Sequence, residues 1–140
     1  METVKSRFTI HDEEQGKSQI FEVWEPIPGR TIDASVEALI DDWEGFRVLL
    51  RDHETNRVIR IAFGSHVAYQ SRDEGDFVGE ASRSIGLGRG CFYRVSDSEY
   101  LARFNADSVR QLQRLMHFAI ITDMDCIDVL ALDEPDVKQL

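Results

Sequence analysis

Residues 46–63 read FRVLLRDHETNRVIRIAF, and this stretch decides the fold. From 46 to 51 and again from 58 to 63, every second residue is large and apolar, and arginines stand at several positions between them. Such alternation is typical of a β-strand with one buried face. The polar segment DHETN separates the two runs. The stretch therefore predicts a hairpin that places six side chains in the core: Phe46, Val48, Leu50, Ile59, Ile61 and Phe63.

Further strands are predicted on both sides of this hairpin. Residues 4–10 and 19–24 alternate in the same way and suggest a first hairpin with a long polar loop. Val67 and Tyr69 suggest a short strand after the second hairpin. Near the C-terminus, HFAIIT (117–122) and CIDVLAL (126–132) are apolar on both faces, which is expected of central strands joined by a tight turn at 123–125.

Helices are predicted from spacing and from capping residues. Ile32, Val36, Leu39, Ile40 and Trp43 form an apolar stripe at helical spacing, which Asp33 could cap and Gly45 could end. A capping box of Ser96 and Glu99 predicts a short helix that carries Tyr100, Leu101 and Phe104. A third helix is expected to begin near Asp107 and to carry Val109, Leu112 and Met116.

The strands occur in runs and do not alternate with long helices, which argues against a doubly wound α/β domain. We therefore expect an α+β fold, a mostly antiparallel sheet of two or three hairpins with about three packed helices. The 140 residues fit a single domain, and the tail from 135 to 140 is expected to be frayed.

Composition narrows the possible partners. The net charge is -10, and each half of the chain carries 8 basic and 13 acidic side chains. No region of the chain is basic enough to bind phosphates, so nucleic acids and anionic membranes are poor candidate partners. No apolar run approaches the roughly 20 residues that span a bilayer, and Met1–Ile10 lacks the apolar stretch of a signal peptide. These features predict a cytoplasmic protein whose two cysteines are reduced, with Cys126 in the core.

Motifs for catalysis or cofactor binding are weak. GLGRG (86–90) lacks the spacing and the strand–helix context of a phosphate loop. The four histidines show no metal-binding spacing, and His66 and His117 fit satisfied core positions. No GxSxG motif is present. We therefore predict no cofactor, no metal and no catalytic residue, although a site assembled from distant residues stays open.

Acidic clusters are more informative. A solvated surface is one interpretation, and docking of a strongly basic protein is the other. The first cluster would form a negative stripe on the predicted helix, where like charges at i,i+4 cost some stability. The candidate partner-binding residues are Asp33, Glu37 and Asp41, then Asp73, Glu74 and Asp76, and finally Asp123, Asp125, Asp133 and Glu134.

A family resemblance rests on short motifs in a fixed order: Trp43-Glu44-Gly45, Phe63 to Tyr69, Glu74-Gly75-Asp76, Ser98 to Leu101, His117 to Thr122, Asp128-Val129-Leu130 and Glu134-Pro135. This order resembles that of small bacterial immunity proteins encoded beside polymorphic or contact-dependent toxins. It covers roughly residues 43–135 and leaves 1–42 uncovered. The resemblance implies a toxin inhibitor without catalytic residues or a cofactor.

These features of the sequence are compatible with three functions. The first is an acidic immunity protein that neutralises a basic, nuclease-like toxin by covering its substrate groove with carboxylates. The second is a small enzyme or small-molecule-binding domain with a site under the loop predicted at 71–90, a segment rich in glycine, serine and charge that we expect to be mobile. The third is a homo-oligomeric structural protein.

Overall fold

The computed structural model describes residues 7–12, 17–73, 90–107, 114–122 and 124–140. Within them the chain forms two antiparallel sheets and one helix. The six-stranded sheet has the order β1-β2-β7-β8-β9-β6, and the four-stranded sheet has the order β10-β5-β4-β3. The bounds are β1 Arg7–Asp12, β2 Lys17–Val23, β3 Ala34–Asp42, β4 Gly45–Asp52, β5 Val58–Phe63, β6 His66–Asp73, β7 Phe92–Ser96, α1 Glu99–Asp107, β8 Met116–Ile121, β9 Asp125–Ala131 and β10 Asp136–Gln139.

The two sheets pack face to face around one large apolar core. The four-stranded sheet contributes alternate residues of β4 and β5, and the six-stranded sheet contributes Phe118, Ile120, Ile127 and Val129. A smaller cluster, which includes Tyr93, Ala119 and Cys126, lies on the opposite face of the six-stranded sheet. Strands β8 and β9 are therefore buried on both faces, which explains their continuous apolar sequence. Their prediction as central strands is confirmed.

The predicted hairpin at 46–63 is confirmed. Strands β4 and β5 pair in the register Phe46↔Phe63, Val48↔Ile61 and Leu50↔Ile59. All six of these side chains are buried. The first hairpin is also confirmed as β1 and β2, and the short third strand extends through eight residues as β6.

Ile61 offers a sensitive test of this core. Its side chain is fully buried, so Ile61→Val should lower the free energy of unfolding by about 0.5–1.5 kcal/mol through loss of one methylene. Urea unfolding would measure the change. Arg60→Lys on the opposite face of β5 serves as the control. An equal or larger loss for the control would contradict the orientation of this strand.

The helix predicted from Ile32 to Trp43 is wrong, because these residues form strand β3 and the turn that follows it. A β-bulge explains the error. The register shifts between Val36 and Ala38, so one extra residue is inserted and the core-facing positions become Ala34, Val36 and Leu39. Their spacings of two and then three resemble those of an amphipathic helix, although the segment is a strand.

The α+β class is also wrong, because the molecule is mostly antiparallel β-structure with one short helix among the described residues. The helix around Tyr100, Leu101 and Phe104 is confirmed as α1. Its cap is Ser98 and not Ser96, since the Leu101 amide donates to Ser98 Oγ at 3.0 Å. Met116 of the predicted third helix begins β8. Val109 and Leu112 lie outside the described residues.

The C-terminal tail is not frayed. Strand β10 pairs with β5, and the Leu140 amide donates to the Val58 carbonyl at 2.8 Å. Without β10, β5 would present an unpaired sheet edge, and Val137 packs against the core. In the segment predicted as a loop at 71–90, Ser71, Arg72 and Asp73 belong to β6, and residues 74–89 lie outside the described ranges.

Candidate functional site

Three connections meet at one end of the two sheets. These are the β3–β4 turn at Trp43, the β5–β6 turn at Ser65 and the β9–β10 connection at Asp133. The Asp133 amide donates to Ser65 Oγ at 2.9 Å, and the neighbouring His66 Nε2 lies 3.5 Å from Asp41 Oδ1. We call this surface the acidic end and define it by Asp41, Asp42, Trp43, Glu44, Asp133 and Glu134.

Trp43 is the exceptional residue of the acidic end, with 91% of its surface exposed. It occupies a tight turn in which the Glu44 amide donates to Asp42 Oδ1 at 2.9 Å. Gly45 then adopts a φ of 108°, which other residues rarely reach. Directly beneath the turn, the Phe46 ring stacks on Tyr69 with 4.2 Å between centroids. The indole is thus held out into solvent by an ordered turn.

The acidic end keeps an excess of negative charge. Arg47 binds Asp42 at 2.8 Å and approaches Glu44 at 3.9 Å, and Arg94 binds Glu134 at 3.3 Å. The Arg47 hydrogen bond lowers the pKa of Asp42 below its ordinary value. Among the described residues, Asp41 and Asp133 have no lysine or arginine partner, so their carboxylates stay available to a cationic ligand.

The other predicted acidic residues are dispersed. Asp33 lies at the opposite end of β3, and Glu37 binds Arg51 at 2.8 Å on the outer face of its sheet. The continuous stripe of Asp33, Glu37 and Asp41 therefore does not exist, because the bulged strand turns them in different directions. Asp73 and Asp125 pair in register at the end of the six-stranded sheet away from Ala131. Glu74, Asp76 and Asp123 lie outside the described residues.

A buried polar network lies on the outer face of the six-stranded sheet. The Ser98 hydroxyl is 2.6 Å from His117 Nδ1, and His117 Nε2 is 2.7 Å from Asp128 Oδ1. The second carboxylate oxygen of Asp128 accepts from Gln70 at 2.9 Å and from Arg72 at 3.0 Å. Both His117 and Asp128 are buried. The core position predicted for His117 is confirmed.

The partners of Asp128 favour its ionised form. Burial raises the pKa of Asp128, but hydrogen bonds from His117 and Gln70 and the charge of Arg72 outweigh burial and hold it below its ordinary value. The ionised carboxylate can only accept, so a neutral His117 would carry its proton on Nε2. In that form His117 Nδ1 would accept from the Ser98 hydroxyl, which lies 2.6 Å away.

Ser98 also lines a cleft of about 560 Å³ between α1 and the end of β7. Apolar walls come from Val95, Leu101 and Leu115. Asp97, immediately before Ser98, has a φ of 54°, an uncommon left-handed conformation that turns the chain sharply from strand into helix. This turn places the Ser98 side chain at the N-terminus of α1, between the cleft and His117.

A second buried carboxylate, Asp52, stabilises the other end of the four-stranded sheet. Arg30 binds it at 2.8 Å, and the Glu54 amide and Thr55 hydroxyl also donate to it. Burial raises the pKa of Asp52, but these three hydrogen bonds outweigh burial and lower it. The geometry is that of a structural anchor for the Asp52–Asn56 turn, since the residue is wholly inaccessible.

The lowered pKa values of Asp52 and Asp128 predict loss of stability in acid. A carboxylate whose pKa is lower in the folded state contributes fully above its unfolded pKa of about 3.9. The contribution disappears as the pH falls through the folded pKa. We therefore expect the free energy of unfolding to decline below about pH 4. Urea unfolding across pH should show a shallower decline for Asp52→Asn and an unchanged one for the exposed control Asp107→Asn. An unchanged slope in Asp52→Asn would contradict the assignment.

The cysteines are unsuited to nucleophilic or redox chemistry. Cys91 and Cys126 are free and buried. Burial raises the pKa of Cys126 to about 12 and that of Cys91 further still, so both thiols stay protonated. Across the described ranges, no group of three or more histidine, cysteine, aspartate or glutamate side chains is placed to hold a metal ion. No helix in the same ranges is long and apolar enough to cross a membrane.

The sequence alone indicates the acidic residues of this geometry, but not Trp43 or the buried polar network. Asp41, Asp133 and Glu134 were predicted and come together at the acidic end, whereas Trp43 was assigned to the apolar face of a helix. Ser98, His117 and Asp128 are separated by 19 and 11 positions, so no local motif connects them. The available signal was a lone aspartate, Asp128, within an apolar central strand, where a buried charge requires partners.

The chain matches no protein-family model, no curated protein and no solved structure.

Proposed function

We propose that this protein binds a basic protein partner through the acidic end. The observation that carries the proposal is Trp43, a large aromatic side chain that is 91% exposed and surrounded by carboxylates. Tryptophan is among the residues that most often dominate binding energy at protein interfaces. Folding alone does not account for an indole held in solvent, because its burial would be favourable.

The chemistry of the acidic end defines the partner. The indole face can pack against an apolar patch or accept a lysine or arginine cation over its ring. The carboxylates of Asp41 and Asp133 complement further cations at the rim. Electrostatic attraction of this kind raises the association rate and helps to fix the orientation of the complex.

A toxin inhibitor is the biological role that we propose for this binding. The turn Trp43-Glu44-Gly45 belongs to the motifs that resemble immunity proteins, and so does Glu134-Pro135. A nuclease needs a cationic groove to hold phosphates, so carboxylates placed over that groove would compete with its substrate. The chain would carry out this role in the cytoplasm, where the toxin acts.

Charge reversal tests the proposed surface. Asp41→Lys/Asp133→Lys should slow association with a basic, nuclease-like protein partner by about tenfold or more at low salt. Asp33→Lys/Asp125→Lys changes the net charge equally at sites away from the acidic end and is the matched control. Stopped-flow fluorescence of Trp43 or surface plasmon resonance would measure both rates. The fold should survive in both variants, because exposed charges contribute little to stability.

Two results would contradict the proposal. Equal slowing by both double variants would mean that net charge acts without a defined surface. Absence of binding to any basic protein encoded nearby would mean that the acidity serves solubility alone.

A further inference from the structure

We propose that Ser98 is a nucleophile for acyl transfer, with His117 as its general base and small carboxylic esters as the substrate class. This inference is independent of the proposed partner binding, because it concerns a different group of residues. It rests on the buried network and on the cleft that Ser98 lines.

The order of the three groups is the one that serine activation requires. The Asp128 carboxylate lies 2.7 Å from His117 Nε2, and in neutral His117 a proton on Nε2 would leave Nδ1 as the acceptor. Ser98 Oγ lies 2.6 Å from that nitrogen. Nucleophile, base and orienting carboxylate are thus in sequential hydrogen-bond contact, which is the general signature of an activated hydroxyl. Gln70 and Arg72 hold the carboxylate from its other oxygen.

The cleft selects the substrate class. Its walls at Val95, Leu101 and Leu115 are apolar and favour a short hydrocarbon acyl group, whereas Asp97 and Glu99, which also line it, disfavour an anionic substrate. Ser98 stands at the N-terminus of the nine-residue helix α1, whose dipole is positive at that end. This field would favour an oxyanion formed beside Ser98, although the Glu99 and Leu101 amides at that end already donate to Gln19 Oε1 and Ser98 Oγ.

The chemical step balances with water as the only co-reactant. Ser98 Oγ adds to the ester carbonyl carbon while its proton passes to His117 Nδ1. The tetrahedral intermediate collapses, the bond to the alcohol oxygen breaks, and the leaving alkoxide takes the proton from His117. Water then attacks the acyl-serine by the same route, which releases a carboxylic acid and restores the Ser98 hydroxyl.

Covalent labelling of the full chain tests the proposal. An alkyl fluorophosphonate should attach once per chain with loss of fluoride, and peptide mass spectrometry should locate it on Ser98. Ser98→Asn is the decisive variant, because asparagine also caps helices and can donate to His117, so the fold is kept while the nucleophile is lost. Ser35→Ala removes an exposed serine that contacts a different histidine, His53, outside the cleft, and it is the matched control.

The expected results are specific. Ser98→Asn should abolish labelling and lower p-nitrophenyl acetate hydrolysis by at least about 100-fold, and Ser35→Ala should match the unmodified chain. The proposal is overturned if the folded, unmodified chain is not labelled at Ser98. It is equally overturned if Ser98→Asn hydrolyses the ester as fast as the unmodified chain. Neither result bears on partner binding, which the charge-reversal variants measure separately.

Discussion

A Trp43→Ala variant is expected to bind the basic partner about 30-fold to 1,000-fold more weakly than the unmodified chain, a loss of about 2–4 kcal/mol. The indole is almost wholly exposed in the free protein, so binding could bury most of its apolar surface. Its turn is already ordered by Asp42 and Gly45, so little conformational entropy would be lost on association. Isothermal titration calorimetry would measure the affinity.

Met124→Ala is the matched control for this prediction. Met124 is another exposed apolar side chain, 71% accessible, and it lies in the β8–β9 turn at the opposite end of the six-stranded sheet. Its removal should leave the affinity unchanged. An unchanged affinity for Trp43→Ala would remove the main support for the acidic end as the binding surface. Neither variant should alter the thermal stability of the free protein, because both side chains project into solvent.

The second large effect is expected from Asp128→Ala, which should lower the free energy of unfolding by about 3–5 kcal/mol. The substitution leaves His117 Nε2, Gln70 and Arg72 without the acceptor that they share in a buried setting. The loss is costly mainly because His117 stays buried without its acceptor, whereas Gln70 and Arg72 are half-buried. Urea unfolding followed by circular dichroism would measure the change.

Asp107→Ala provides the comparison for Asp128→Ala, since Asp107 is exposed at the end of α1. It should change the free energy of unfolding by about 0.5 kcal/mol or less. A loss below about 1 kcal/mol for Asp128→Ala would show that the network does not depend on its carboxylate. The same result would weaken the case for an oriented His117 beside Ser98.

The parts of the fold that sequence predicts correctly are those with undisturbed periodicity. In β4 and β5 strict alternation identifies both the strands and their buried faces. In β3 a single extra residue breaks the alternation, and the apolar positions then have a spacing similar to that of an amphipathic helix. The C-terminal strand β10 carries little apolar signal of its own, and its pairing with β5 is a long-range contact that no local pattern reveals.

In the candidate sites, too, some residues can be predicted from sequence and others cannot. Charge clusters are visible in sequence, so Asp41, Asp133 and Glu134 could be identified before their positions were known. The exposed position of their neighbour Trp43 could not be predicted. The helix-like spacing of the apolar residues in β3 places Trp43 in a stripe that is expected to be buried. The Ser98–His117–Asp128 network depends on the pairing of β7, β8 and β9 and on the turn at Asp97, which are tertiary features.

A basic partner that is steered to the acidic end should associate at a rate that depends on salt. The most direct measurement is the association rate constant with a basic, nuclease-like protein partner, taken at low and at high salt. The account predicts a fall of about tenfold or more as salt rises, with most of that dependence lost in Asp41→Lys/Asp133→Lys. A rate that is unaffected by salt, or a salt dependence that the double variant keeps in full, would contradict it.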